Sequence, residues 1–302
     1  MDIGKKIKEL RTAKLMTQTE LAGHEITRNM LSRIENGAAL PSVGTVIYLS
    51  ERLGVHPGVL LSDGDDDLVF VKNNLLKNIK RALTDKNFSL CRDMCKELLA
   101  YGDDDEISLI MSEATLKYAE SQLLCGGLHK CKYLLDEAIL YSQKTIYDTK
   151  VILSCAKNIF FHLKKISPSL DSDSIDCQRL DAYCESLSFG NELCRYLNTL
   201  SSIWNSDKGD SFDVSSDMLV GISSELYKNH IIAKIHMKKG DFVRAFELLS
   251  SAINMEGDIS VFTVYLLSGD IEICAREMGD YKTAYEYSTN RISLLESMLS
   301  EV

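Results

Sequence analysis

Proline is scarce in this chain of 302 residues, which contains only Pro41, Pro57 and Pro168. Proline lacks an amide donor and clashes with the preceding helical turn, so its rarity beside abundant Leu, Lys, Glu, Ala and Ser predicts a mostly helical protein. No apolar run approaches the roughly 20 residues needed to cross a bilayer, and no membrane partner is expected. The opening MDIGKKIKELR is charged and helical in pattern, which argues against a secretory signal and makes the cytoplasm the expected location. Catalytic signatures are also missing: there is no G-x-S-x-G, no Walker-type glycine loop and no H-E-x-x-H. The nine cysteines include no C-x-x-C pair and the six histidines lie scattered, so neither a metal site nor a cofactor is expected. An enzyme is excluded on the same grounds.

Positive charge is short overall, with 34 Lys/Arg against 44 Asp/Glu. The deficit is not uniform. Residues 1–61 carry eight basic and six acidic side chains, a net of +2, whereas the remainder carries 26 and 38, a net of −12. The run SDGDDD at 62–67 marks the change and reads as an acidic linker. This divides the chain into a first domain at 1–61 and a second at 68–302.

Five short helices fit the first domain. Ile3, Ile7 and Leu10 recur at helical spacing. Thr17-Gln18-Thr19-Glu20 has the form of a capping box, in which hydroxyl and carboxylate satisfy two orphaned amides. Leu21 and Ala22 then face the core. Thr27 is a good N-cap for a third helix that Gly37 stops in the left-handed conformation. Pro41-Ser42 opens a fourth carrying Val46, Leu49 and Leu53, and Val55–Leu61 adds a last turn. Around the third helix, Met30, Leu31 and Ile34 form one face, and Arg28, Asn29, Ser32, Arg33 and Asn36 lie opposite. Arginine pairs bidentately with guanine and asparagine with adenine, so the second face suits a DNA major groove.

With these pieces in place, IGKKIKELRTAKLMTQTELAGHEITRNMLSRIENGAALPS resembles the lambda-repressor-like (XRE-type) helix-turn-helix family. Arg11, Thr17-Gln18, Glu20-Leu21-Ala22, Ser32, Ile34-Glu35-Asn36-Gly37 and Pro41-Ser42 carry the match. The resemblance implies base reading by Arg28, Asn29, Ser32 and Arg33, with Arg33 foremost. It implies backbone contacts from Gln18, Thr27 and Asn36, and a structural ion pair between Arg11 and Glu35. The implied partner is double-stranded DNA, and the weak net charge of a lone domain favours a homodimer that reads the two half-sites of a palindromic operator.

The second domain repeats itself. KNFSLCRDMCKELL (86–99), GGLHKCKYLLDEAI (126–139), GDFVRAFELLSSAI (240–253) and GDYKTAYEYSTNRI (279–292) share a turn pair, an apolar residue and a small residue three positions later. Their starts lie 40, 114 and 39 residues apart, and two degenerate units fit between 140 and 239. Cys91 and Cys131 occupy the place of Ala245 and Ala284, where a free cysteine acts as a small hydrophobe. The same reading extends to Cys95, Cys155, Cys194 and Cys274, whereas Cys177 and Cys184 are assigned no role. The pattern resembles the tetratricopeptide repeat, although its period exceeds the usual 34. The stretch 167–217 reads as long loops.

The expected architecture is therefore all-α: a five-helix lambda-repressor-like domain followed by an α-solenoid of tetratricopeptide-like hairpins. The repeat register would point Asn73, Lys80, Glu113, Glu120, Tyr227, His230, Lys234 and Arg276 into a concave face suited to a peptide or partner segment. The layout of the whole chain resembles the peptide-sensing regulators of the Rgg, PlcR and PrgX type. That resemblance implies a transcriptional regulator whose repeat domain takes up a short peptide and thereby controls DNA binding. The alternative is a regulator whose repeats dock another protein, with no peptide effector.

Overall fold

The computed structural model describes residues 3–61, 67–170, 192–205, 216–255 and 257–300. Most of the acidic run at 62–67, much of the 167–217 stretch, and Cys177 and Cys184 lie outside the described residues. Regular structure among the described residues is entirely helical, and no helix there is long and apolar enough to cross a membrane. The chain forms two compact units, Met1–Ile107 and Ser108–Val302.

In the first unit, α1 (Ile3–Ala13), α2 (Gln18–Ala22), α3 (Arg28–Glu35), α4 (Val43–Leu53) and α5 (Pro57–Leu61) enclose one core. Ile7, Leu21, Leu31, Ile34, Val46, Leu49, Leu53 and Leu60 are all buried in it. Met30 departs from the helical-wheel expectation and is 39% exposed, because the buried stripe of this short helix is centred on Leu31 and Ile34. Close packing of α1 on α3 depends on Gly4, where an added Cβ would lie 1.9 Å from the Ile34 carbonyl oxygen. Two further helices, α6 (Asp67–Thr84) and α7 (Phe88–Leu99), pair in the same unit.

The second unit contains α8 (Asp105–Cys125, which begins in the first unit), α9 (Leu128–Ser142), α10 (Lys150–Ile166) and a 3₁₀ turn at Pro168–Leu170. It continues through α11 (Glu192–Asn205), α12 (Ser216–Leu219), α13 (Glu225–Lys238), α14 (Phe242–Ile253), α15 (Val261–Glu277) and α16 (Tyr281–Ser300). Each quoted repeat is the turn and second helix of a hairpin. Lys86, Gly126, Gly240 and Gly279 all adopt positive φ at the turn. Asn87, Asp241 and Asp280 then accept a hydrogen bond from the amide three residues on, which satisfies a donor that the new helix leaves unpaired. At the matching small position Cys91, Cys131, Ala245 and Ala284 are all buried, so the helices of a pair approach closely there. Cys95, Cys155, Cys194 and Cys274 are buried as well.

Candidate functional site

The helix-turn-helix segment is held by contacts at both ends. Thr17 Oγ1 accepts from the Glu20 amide, and the Glu20 carboxylate accepts from the Thr17 amide at 2.7 Å. At the other end of α2, Tyr48 Oη donates to the Ala22 carbonyl and Arg52 Nε to the Leu21 carbonyl, each at 2.9 Å. Gly23, at φ 57°, leaves room for the Tyr48 hydroxyl, which a Cβ would approach to 2.2 Å. Thr27 Oγ1 accepts from the Met30 amide and starts α3. After Asn36, Gly37 turns at φ 70° and the Ala38 amide donates to the Arg33 carbonyl. Tyr48, Arg52 and Gly4 were not singled out in the sequence, where α4 shows only its apolar stripe and one glycine resembles another.

Glu35 ties three elements together. Arg11 donates through Nε to Glu35 Oε1 at 2.6 Å and through Nη2 to Oε2 at 3.1 Å, while its Nη1 donates to the Met16 carbonyl. Gln18 Nε2 donates to Glu35 Oε2 at 2.8 Å. Burial alone would raise the Glu35 carboxyl, but the guanidinium and the Gln18 amide outweigh it, and its pKa is lowered. Gln18, expected at the phosphate backbone, is thus half-buried with its amide nitrogen engaged as a brace. Arg28, Asn29, Arg33, Thr27 and Asn36 are exposed and Ser32 is half-buried. The face carries two guanidiniums and a carboxamide on a short helix fixed by its core side.

A second site lies in the Ser108–Val302 unit: a cleft of about 300 Å³ lined by side chains from α10, α11, α13, α15 and α16. Of the lining residues, His230 has Nδ1 2.6 Å from the buried Tyr196 Oη and Nε2 2.9 Å from Asp270 Oδ2. Lys234 Nζ donates to Asp270 Oδ1. Burial opposes ionisation of Asp270, yet Lys234 and His230 hold its pKa down at about 2. Burial pushes His162 down to about 4, so the ring is neutral near pH 7, with Nε2 3.0 Å from the Leu197 carbonyl. Lys165 lies over the Phe161 ring at 4.1 Å and the Trp204 ring at 4.5 Å. Burial, reinforced by Lys234, pushes its ammonium down to about 8. Arg291 Nη1 donates to Glu272 at 2.8 Å and its guanidinium lies 5.6 Å from the centre of the Tyr265 ring.

The structure divides the eight residues expected on a concave face. His230 and Lys234 line the cleft, although His230 is itself buried. Tyr227 is half-buried, its ring stacked on Tyr196 at 4.0 Å. Glu120 must be corrected: it is buried, pairs with Lys117 and lies 3.7 Å from Cys194 Sγ. The cause is α8, which buries apolar residues on several faces, from Ile107 and Met111 to Leu116 and Leu123. Glu113 and Arg276 are exposed and do not line the cleft. Lys80 belongs to the first unit, where it pairs with Glu106 at 2.8 Å. Asn73 lies on α6, but its side chain is outside the described residues. Lys165, Trp204, Asp270 and Arg291 were missed, because they come from four helices that only tertiary packing brings together.

Residues 7–60 match the model of the helix-turn-helix family. No curated protein matches the chain. Among solved structures it is similar to Bacillus thuringiensis PlcR, crystallised in complex with the peptide PapR7 and DNA, at 13% identity over 99% of both chains and a TM-score of 0.25. It is also similar to a cysteine-to-serine variant of the Streptococcus dysgalactiae SHP pheromone receptor Rgg2, at 14% identity over the full length of both chains and a TM-score of 0.21.

Proposed function

Starting from a helix-turn-helix DNA-binding domain at the N-terminus, we propose a sequence-specific transcriptional regulator that acts as a cytoplasmic homodimer and whose helical second unit binds a short peptide. The observation that carries DNA reading is the outer face of α3, where Arg28, Asn29 and Arg33 are exposed while Leu31 and Ile34 anchor the helix. In this reading Arg33 and Arg28 reach guanine edges, Asn29 and Ser32 add hydrogen bonds, and Thr27 and Asn36 touch the backbone. The cleft supports the peptide reading over a plain docking scaffold, since it is a concavity with aromatic walls and a few charged groups, as ligand sites have. A peptide that prefers one arrangement of the second unit would shift DNA affinity by its differential affinity for the two states.

The test is selection of duplexes from randomised DNA with the full-length chain, followed by binding of the recovered sequence. Arg33→Ala should cost about 1–3 kcal/mol and relax one base position. Unchanged affinity and sequence preference in both Arg33→Ala and Arg28→Ala would overturn the assignment.

A further inference from the structure

We propose that the cleft of the second unit is a carboxylate site, in which Lys165 pairs with an acidic group of the bound peptide while Trp204 and Tyr265 cover its apolar flank. This deepens the peptide reading above and rests on it.

The charge balance of the lining is the first support. Lys165, Lys234 and Arg291 line the cleft against one carboxylate, Asp270. Lys234 is neutralised by Asp270 and Arg291 by Glu272. Among the described residues no carboxylate forms an ion pair with Lys165, whose near neighbours are the faces of Phe161 and Trp204. This cationic lining belongs to a stretch, residues 62–302, that carries a net charge of −12. General composition would fill the cleft with carboxylates, so its positive balance is local.

The second support is desolvation. Lys165 is an exposed residue, yet partial desolvation of its ammonium among the aromatic rings, with like-charge repulsion from Lys234, depresses its pKa. A carboxylate placed beside it relieves both effects, because opposite charges interact more strongly away from bulk water. Size limits the occupant. About 300 Å³ is at the lower end for ligand pockets, room for the end or one side chain of a peptide. The acidic group is therefore either a C-terminal carboxylate or a single Asp or Glu side chain.

Trp204, the sole tryptophan of the chain, lines the cleft and supplies the readout. Full-length protein is titrated with mixed hexapeptide pools lacking acidic residues, in free-acid and C-terminally amidated forms. Further probes are an amidated pool carrying one Glu, and sodium acetate alone. The expected result is a change in Trp204 emission at a concentration at least tenfold lower for a carboxylate-bearing pool than for the neutral amidated pool. The free-acid pool and the Glu pool distinguish the two sources. Lys165→Met should abolish that preference, and Lys165→Arg should retain it. Equal response to acid and neutral amide pools would overturn the carboxylate inference and leave the peptide reading standing. A response to acetate but to no peptide would keep the carboxylate site and overturn the peptide reading. Silence from every probe would overturn both.

Discussion

Glu35 accepts hydrogen bonds from Arg11 and Gln18 through both carboxylate oxygens, and its side chain is 1% exposed. A charge so deeply placed is tolerated only because both oxygens are satisfied. Its pKa lies below the ordinary 4.5, so the folded form binds the proton less readily than the unfolded chain. The contribution to stability is then fully present above the unfolded value and fades as pH falls through the folded one. Removing one partner of a buried pair costs about 3–5 kcal/mol. Glu35→Gln should therefore destabilise the first unit by that order at pH 7. Chemical unfolding followed at decreasing pH should show the gap between variant and parent narrowing below pH 4.5. A gap that stays constant would mean the carboxylate contributes by shape rather than charge. The same change should loosen α3 and weaken DNA binding without altering base preference.

Helices here are positioned by where backbone is allowed to approach backbone. Gly4 on α1 and Gly44 on α4 read alike as glycines inside helices, yet only at Gly4 would an added side chain clash. A Cβ on Gly4 would meet the Ile34 carbonyl at 1.9 Å, whereas on Gly44 the nearest atom is Ser42 Oγ at 3.8 Å. Gly4→Ala should force α1 away from α3 and cost at least the 1–3 kcal/mol or so typical of overpacking. Gly44→Ala should stabilise by up to about 1 kcal/mol through helix propensity. Thermal unfolding of the two variants checks both signs at once, and equal effects would contradict the packing described. The repeat turns, by contrast, were legible from the sequence. Gly240-Asp241 and Gly279-Asp280 state their geometry locally, with a left-handed residue followed by a cap, and the small position after each follows from the helical period. The cleft was not legible, because Lys165 and Trp204 lie on different helices, and nothing in either segment records that α10 and α11 meet α15 and α16. Glu120 shows the converse: a charged residue suggests a wet face until the helix around it proves buried on several sides.

Over the whole molecule, the uneven spread of charge sets the terms of DNA binding. The helix-turn-helix stretch, residues 1–61, of net +2 in a chain of net −10, has little long-range attraction for a polyanion, and beyond about 10 Å salt screens what there is. Affinity must then come from direct contacts on α3 and from doubling the site, since a dimer reads two half-sites about 34–36 Å apart on one face of the duplex. The chain should therefore sediment as a dimer and protect a two-fold symmetric site. Its salt dependence should be shallow for a DNA-binding protein, because each neutralised phosphate contributes about −0.9 to the slope of log affinity against log salt concentration. Inserting about half a helical turn, roughly 5 base pairs, between the half-sites places the two α3 helices on opposite faces of the duplex. Affinity should then fall to that of a single half-site, as measured by electrophoretic mobility shift. Retention of full affinity on the displaced half-sites would show that each protomer binds alone, and would remove dimeric reading as the means by which so weakly basic a domain finds its site.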